Sequence, residues 1–175
     1  GGKTLLSAHT ISIASQSFLE RQNPVTLWLV PTNTIKLQTL ETLQNPKHPN
    51  YHVLEEAFDG RFKVFDIANF RQIRPQDISD SACIIISTFA SLRVDKTEGR
   101  KAYDHDENLE PHFSVIPSNA SGMEKHDNGA IKFSFVNLLN WQKPLVIVDE
   151  AHSTAIWGTH GNGMVCEQNL EKDIF

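Results

Sequence analysis

Two short groups of residues near opposite ends of the chain carry side chains suited to phosphate chemistry. Gly1-Gly2-Lys3-Thr4 opens the sequence, and Asp149-Glu150-Ala151-His152 comes directly after the aliphatic run Leu145-Val146-Ile147-Val148. The first group has the ending of the phosphate loop G-x-x-x-x-G-K-[ST]; that loop's first glycine and the strand before it are missing. In such a loop the backbone N–H groups of Gly1, Gly2 and Lys3, at a helix N-terminus, hold phosphate oxygens. The Lys3 ammonium reaches the β- and γ-phosphates, and the Thr4 hydroxyl coordinates Mg²⁺. In the second group Asp149, an acid at a strand tip, can hold Mg²⁺ through water. Glu150 points elsewhere and can orient or deprotonate the attacking water. The pair suits hydrolysis of a nucleoside triphosphate.

Blander readings exist for each group. Gly-Lys-Thr arises by chance in on the order of one chain in ten of this length, and a bare Asp-Glu can simply cap a helix. The tetrapeptide Asp-Glu-Ala-His is expected in roughly one chain in a thousand. Its occurrence downstream of a Gly-Lys-Thr that starts an amphipathic helix favours the nucleotide reading.

The elements that would position these groups alternate between helix and strand. Leu5, Leu6, Ala8, Ile11, Ala14, Phe18 and Leu19 fall at helical spacing over residues 3–22, and Asn23-Pro24 stops that helix. Val25–Val30 reads as a buried strand ended by Pro31-Thr32-Asn33, and a second helix runs to about Gln44. Residues 45–50 form a loop by composition, then a short helix spans Leu54–Phe58 and ends at Asp59-Gly60. Phe62–Ile67 is a strand candidate for a third layer, and Arg74-Pro75-Gln76-Asp77 starts a helical turn. Ala82–Ser87 is a second buried strand, and a helix or turn begins at Thr88. Residues 94–128 are polar and aperiodic, which predicts a surface insertion or hairpin. Ile131, Phe135, Leu138 and Leu139 restore helical spacing before the last strand at Leu145. Apolar strands alternating with helices imply an α/β fold with a parallel sheet covered on both faces. Right-handed crossovers put all strand C-terminal ends on one edge, where ligands bind. Pro31-Thr32, Ser87-Thr88 and Asp149-Glu150 should share that edge with the phosphate loop.

Composition sets the frame. The chain has 175 residues, enough for one domain with a core, and 39% hydrophobic and 21% charged residues are ordinary for a globular protein. A net charge of −5 argues against a whole-surface nucleic-acid binder while leaving room for a local basic stripe. Of the two cysteines, Cys83 sits in an apolar run and reads as a core thiol; no Cys or His spacing matches a zinc site. Neither a signal peptide nor a run approaching the ~20 apolar residues of a membrane span is present. These features predict a reduced, cytoplasmic domain, and the abrupt start without methionine predicts a fragment of a larger protein.

With these residues in hand, the chain resembles the first RecA-like lobe of a superfamily 2 helicase or translocase of the DEAH-box type. The resemblance runs from Gly1 to His152. Leu29-Val30-Pro31-Thr32 is similar to motif Ia, and Ile86-Ser87-Thr88-Phe89 to the strand-end motif that touches a nucleic-acid backbone. Thr97–Lys101, Asn108–Phe113 and Asn137-Leu138-Leu139 resemble the ATPase (Res) subunit of type III restriction enzymes. The resemblance implies a P-loop NTPase fold, ATP and Mg²⁺, and DNA held through backbone contacts at Pro31, Thr32, Ser87 and Thr88. It also implies a second RecA-like lobe outside this chain, a DNA methyltransferase (modification) subunit as partner, and His152 coupling the nucleotide site to lobe closure. Residues 153–175 do not resemble that family's sequence downstream of the acidic motif, and its Ser/Thr-Ala-Thr-Pro motif is absent, so the lobe is read as incomplete at both ends. Two other functions stay open: a phosphate-loop ATPase or kinase acting without nucleic acid, and an inactive nucleotide- or DNA-binding fragment.

Several residues keep two readings. Thr32 and Thr88 are either phosphate contacts or helix caps. Arg71, Arg74, Arg93, Arg100 and Lys101 either supply charge to phosphates or form a solvated surface. His105, His112 and His126 read as surface histidines. Trp28 and Trp141 read as core, with base stacking the alternative.

Overall fold

The structure, a computed structural model, describes residues 2–17, 22–93 and 97–149, and the backbone of 165–167. Helix α1 (Gly2–Ser17) leads to strand β1 (Val25–Val30), then helices α2 (Asn33–Gln44) and α3 (Pro49–Phe58) and strand β2 (Phe62–Asp66). A 3₁₀ turn at Ile67–Gln72 and helix α4 (Pro75–Ser79) precede strand β3 (Ala82–Thr88). Next come a 3₁₀ turn at Ala90–Leu92, helix α5 (Thr97–Tyr103), a 3₁₀ turn at Glu107–Leu109, and helices α6 (Glu110–Phe113) and α7 (Phe135–Gln142). Strands β4 (Leu145–Val148) and β5 (Val165–Glu167) complete the order.

All five strands are parallel, in the order β2-β3-β1-β4-β5. The central strands are buried along their whole length because they are apolar on both faces: Val-Thr-Leu-Trp-Leu-Val in β1 and Ala-Cys-Ile-Ile-Ile-Ser-Thr in β3. Alternation then divides their side chains between two cores. Trp28, Val30, Ile84, Ile86, Leu145 and Ile147 meet α1, α2 and α3 through Ala8, Ile11, Leu40, Leu43, Leu54 and Phe58. Leu27, Leu29, Cys83 and Ile85 meet Phe70, Leu109, Phe113, Phe135 and Leu138 on the opposite face. Burial pushes the free Cys83 thiol up to about 12, so it stays protonated and acts as a core side chain. Among the described residues no helix is long and apolar enough to cross a membrane.

Six expectations need correction. Strand β2 is not in a third layer; it pairs with β3 in register Phe62↔Ala82 through Asp66↔Ile86 and is an edge of the same sheet. Helix α3 begins five residues earlier than its apolar residues suggest, because Pro49 fits the first turn, where no N–H is needed, and His48 caps it. The stretch 94–128, expected to lie on the surface, is only partly exposed. Ala102, Leu109, Phe113 and Ile116 are buried in the second core. His112 is buried with them, its Nε2 2.7 Å from the Ile73 carbonyl oxygen. Trp141, in the last turn of α7, is 38% exposed rather than core. Helix α1 is not cleanly amphipathic: Ser7 and Ser15 are buried beside the fully buried Ile11, while Leu6 and Ile13 are more than half exposed.

Candidate nucleotide and nucleic-acid edge

The register aligns the ends of three strands. Val30 pairs with Thr88, Leu29 pairs with Val148, and the Asp149 amide extends the ladder by donating to the Leu29 carbonyl at 2.8 Å. Thr32, Thr88 and Asp149 therefore stand on the C-terminal edge of adjacent strands, as expected. The chain leaves the two central strands toward opposite faces. After β1 it turns into α2, whose Leu40 and Leu43 belong to the first core. After β3 it turns toward Phe89, Leu92 and Ala102, which pack on the second. Divergent exits from neighbouring parallel strands open a crevice, the place where open α/β sheets bind ligands.

At β1 the crevice wall is Pro31-Thr32. Thr32 is exposed and caps α2, its Oγ1 accepting from the Ile35 amide at 3.3 Å, while its carbonyl accepts from Lys36. The cap reading of Thr32 is thus correct, and its O–H proton stays available to a second acceptor. Lys36, in the first turn of α2, is buried and donates to Asp66 Oδ1 at 2.8 Å. Asp66 also caps the turn after β2 by accepting from the Ala68 amide. This ion pair ties the start of α2 to the end of β2. A lone lysine in a helix gives no signal in the sequence that it is buried.

At β3 the wall is Ser87-Thr88. Ser87 is fully buried and donates to the Thr88 carbonyl at 2.9 Å. Thr88 is 7% exposed; its Oγ1 accepts from the Ser91 amide at 3.2 Å and lies 2.9 Å from Ser91 Oγ. Thr88 thus also braces the turn Ala90–Leu92, whose cap position is Phe89. Sequence reasoning misses Ser91, although the Thr-x-x-Ser spacing matches a cap with its third residue. The turn is braced from α5, where the Tyr103 O–H donates to the Leu92 carbonyl at 3.0 Å. Burial, with Glu124 nearby, raises the Tyr103 hydroxyl above its ordinary value, so it remains a donor.

The acidic and phosphate-loop groups are partly within view. Asp149 is 8% exposed at the tip of β4. Gly2 opens α1, Lys3 is exposed and Thr4 is half-buried. Among the described residues, a Cβ at Gly2 would meet nothing within 4 Å. The first turn of α1 carries no acid that would repel an anion. Gly1, Glu150, Ala151 and His152 lie outside the described residues. Of the basic candidates, Arg71 and Arg74 hold carboxylates: Arg71 binds Asp106 at 2.5 Å, and Arg74 stands 3.6 Å from Asp77. Arg93, Arg100 and Lys101 are exposed.

Against known proteins, the family model for the type III restriction enzyme, res subunit, matches residues 1–162. The chain belongs to that family. Among curated proteins and solved structures none matches it. The res-subunit family consists of helicase-like ATPase domains of RecA-like fold, and the parallel, helix-flanked sheet is of that kind. The match also continues ten residues past His152, beyond the point where the sequence motifs stop.

Proposed function

We propose that the chain is the ATP-binding and ATP-hydrolysing lobe of a DNA helicase or translocase, the ATPase subunit of a type III restriction enzyme. The observation that carries this is the alignment of Thr32, Thr88 and Asp149 on one sheet edge beside a crevice, in a chain of the res-subunit family. Helix α1 packs on β4 and α3 and returns directly to β1. A helix joined so to a parallel strand runs antiparallel to it, which favours Lys3 and Asp149 on the same edge.

The donors fit Mg²⁺ and a triphosphate. The Thr4 hydroxyl and the Asp149 carboxylate are hard oxygen ligands, and Mg²⁺ takes few of these from protein when phosphates and water supply the rest. Mg²⁺ would neutralise charge on the transferring phosphate. Gly1, Gly2 and Lys3 bind the phosphate oxygens, Lys3 also through its ammonium. Glu150 orients the attacking water and takes its proton. His152 couples this site to closure on a second lobe, and Pro31, Thr32, Ser87 and Thr88 border the path of the DNA backbone. A modification subunit and that second lobe are the expected partners.

The test is steady-state ATP turnover by the full-length protein containing this chain, with Mg²⁺, with and without DNA. Turnover should rise with DNA. Glu150→Gln should keep ATP binding and lower turnover by about 10²–10⁴-fold, because only the water-activating carboxylate is lost. Lys3→Ala should weaken ATP binding as well. Wild-type turnover by Glu150→Gln would remove Glu150 from the mechanism. Turnover indifferent to DNA would favour an ATPase or kinase acting without nucleic acid.

A further inference from the structure

We propose that Asn128 is a site of spontaneous deamidation, a covalent change of its neutral amide to a carboxylate that needs only water. The chain contains two Asn-Gly pairs, and Asn128-Gly129 is the one within the described residues.

The reaction is intramolecular. The Gly129 amide nitrogen gives up its proton to base and attacks the Asn128 side-chain carbonyl carbon. A C–N bond forms there, the bond to the side-chain nitrogen breaks, and that nitrogen leaves as ammonia with a proton from water. Water then opens the five-membered imide at one of its two carbonyls, giving aspartate or isoaspartate. Nothing is oxidised or reduced. A side chain on the following residue crowds the attacking nitrogen, and glycine has none. Glycine is also what the turn requires, because φ at Gly129 is +83°. Among the described residues a Cβ there would meet nothing within 4 Å.

Residues 124–132 form a hairpin whose stem is anchored and whose tip is not. In the stem Lys125 pairs with Ile131, and the Lys132 amide donates to the Glu124 carbonyl at 3.0 Å. Asn137 of α7 holds both sides, accepting from the Glu124 amide at 2.9 Å and donating to the Lys132 carbonyl at 2.8 Å. Residues 126–130 are exposed. Three bonds within the tip close it: His126 amide to Ala130 carbonyl at 2.8 Å, Gly129 amide to His126 carbonyl at 2.8 Å, and Ala130 amide to Asn128 Oδ1 at 3.0 Å. One contact leaves it, His126 Nε2 lying 3.3 Å from His105 Nδ1. The closed tip withholds the nucleophile, since the Gly129 N–H is bound to His126. Reaction therefore runs through an opened tip, and exposed backbone bonds at a loop tip open at small cost while the anchored stem stays formed. Isoaspartate lengthens the main chain by one carbon inside this turn, and either product adds a negative charge beside Asp127.

Tryptic mapping of the aged full-length protein tests the assignment. Trypsin cuts after Lys125 and Lys132 and releases residues 126–132, in which Asn128 is the sole asparagine. Folded protein is held in mildly alkaline buffer for as long as urea-unfolded protein needs to convert this peptide fully. The peptide from folded protein should gain about one mass unit and split into two products on chromatography, as the exchange of NH₂ for OH requires. Conversion should be slower than in the unfolded chain, by the fraction of time that the tip is open. Asn137, buried in α7 and followed by Leu138, should stay unconverted in the same digest. Asn128→Gln should abolish the change, because its longer side chain would have to close a six-membered ring. An unchanged 126–132 peptide from folded protein overturns the proposal. Conversion at the unfolded rate, with Asn137 converting alongside, would place the reaction in unfolded molecules and overturn it as well.

Discussion

The two faces of the sheet are equally dry, yet they are closed by different means. On the α1–α3 face, regular helices lay apolar stripes on the strands. Ala8, Ile11, Leu43 and Leu54 reach full burial there with few polar ties, such as Lys36 to Asp66 and Gln44 to the Val64 carbonyl. On the other face the cover is made of short helices, 3₁₀ turns and loops, whose backbone groups need partners. Buried polar side chains supply them. Asp106 accepts from the Asn108 amide, from Asn108 Nδ2 and from Arg71. His112 reaches the Ile73 carbonyl. Asn137 accepts from the Glu124 amide and donates to the carbonyls of Glu124 and Lys132. Helices carry their own hydrogen bonding, so a face covered by them needs only shape. A face covered by irregular chain needs buried polar groups as well, and it rises or falls with them.

The largest expected effect breaks the second face at Asn137. Asn137→Leu keeps the side-chain volume and removes three hydrogen bonds from backbone groups of residues 124 and 132. The Glu124 carbonyl keeps the Lys132 amide, but the Glu124 amide and the Lys132 carbonyl lose their partner at about 1–3 kcal/mol each, so a loss of roughly 3–5 kcal/mol is expected in urea unfolding. A loss below about 1 kcal/mol would mean that water replaces the amide readily and that the polar cover is ornamental.

The contrast between faces also decides what can be read from the chain. Strands β1, β3 and β4 are legible because unbroken aliphatic runs have no other soluble use than a two-sided core. The C-terminal edge is legible for the same reason, since Pro31-Thr32, Thr88 and Asp149 mark where those runs stop. Residues 97–116 are not. Their buried positions, Ala102, Leu109, Phe113 and Ile116, belong to different elements and share no period. His112 and Asp106 are polar, and polarity signals exposure unless the partner is known. The partners, Ile73 and Arg71, are more than thirty residues away. The Lys36–Asp66 tie and the Ser91 hydroxyl escape a reading of the sequence for a like reason, because each takes its meaning from a contact.

The second prediction separates the faces by pH. Burial lowers the His112 imidazole below its ordinary value, against the opposing pull of the Ile73 carbonyl and Asp77. The folded state then resists a proton that the unfolded chain accepts near pH 6.5. Stability should be full above about pH 6.5 and decline as pH falls below it. His112→Gln, whose amide can still donate to Ile73, should flatten that slope between about pH 7 and 5.5. A second, lower decline belongs to Asp77 and Asp106. Burial alone would raise both carboxyls. Lys63 and the Arg74 amide outweigh it at Asp77, as Asn108 and Arg71 do at Asp106, and both sit below the ordinary value. Their contribution is present above about pH 4 and is lost as pH falls through the depressed values. An unchanged pH profile in His112→Gln would show that this histidine is not what titrates.

The smallest effect is expected on the first face, at its largest polar side chain. Trp28 is fully buried between β3 and β4, and among the described residues its Nε1 is one of two buried side-chain polar atoms without a hydrogen-bond partner, the other being Thr26 Oγ1. The two stand on the same side of β1, two residues apart. Burying an unpartnered N–H costs free energy, so Trp28 stabilises this core through its volume and in spite of its nitrogen. Trp28→Phe removes the orphan donor along with part of the ring. The volume lost and the polar penalty relieved oppose each other, and the net change should stay below about 1.5 kcal/mol. Asn137, buried to the same degree and much smaller, should cost more than twice as much. A Trp28→Phe loss equal to that of Asn137→Leu would show that Nε1 has a partner, such as an internal water bridging to Thr26, and that the helical face too depends on a buried polar link.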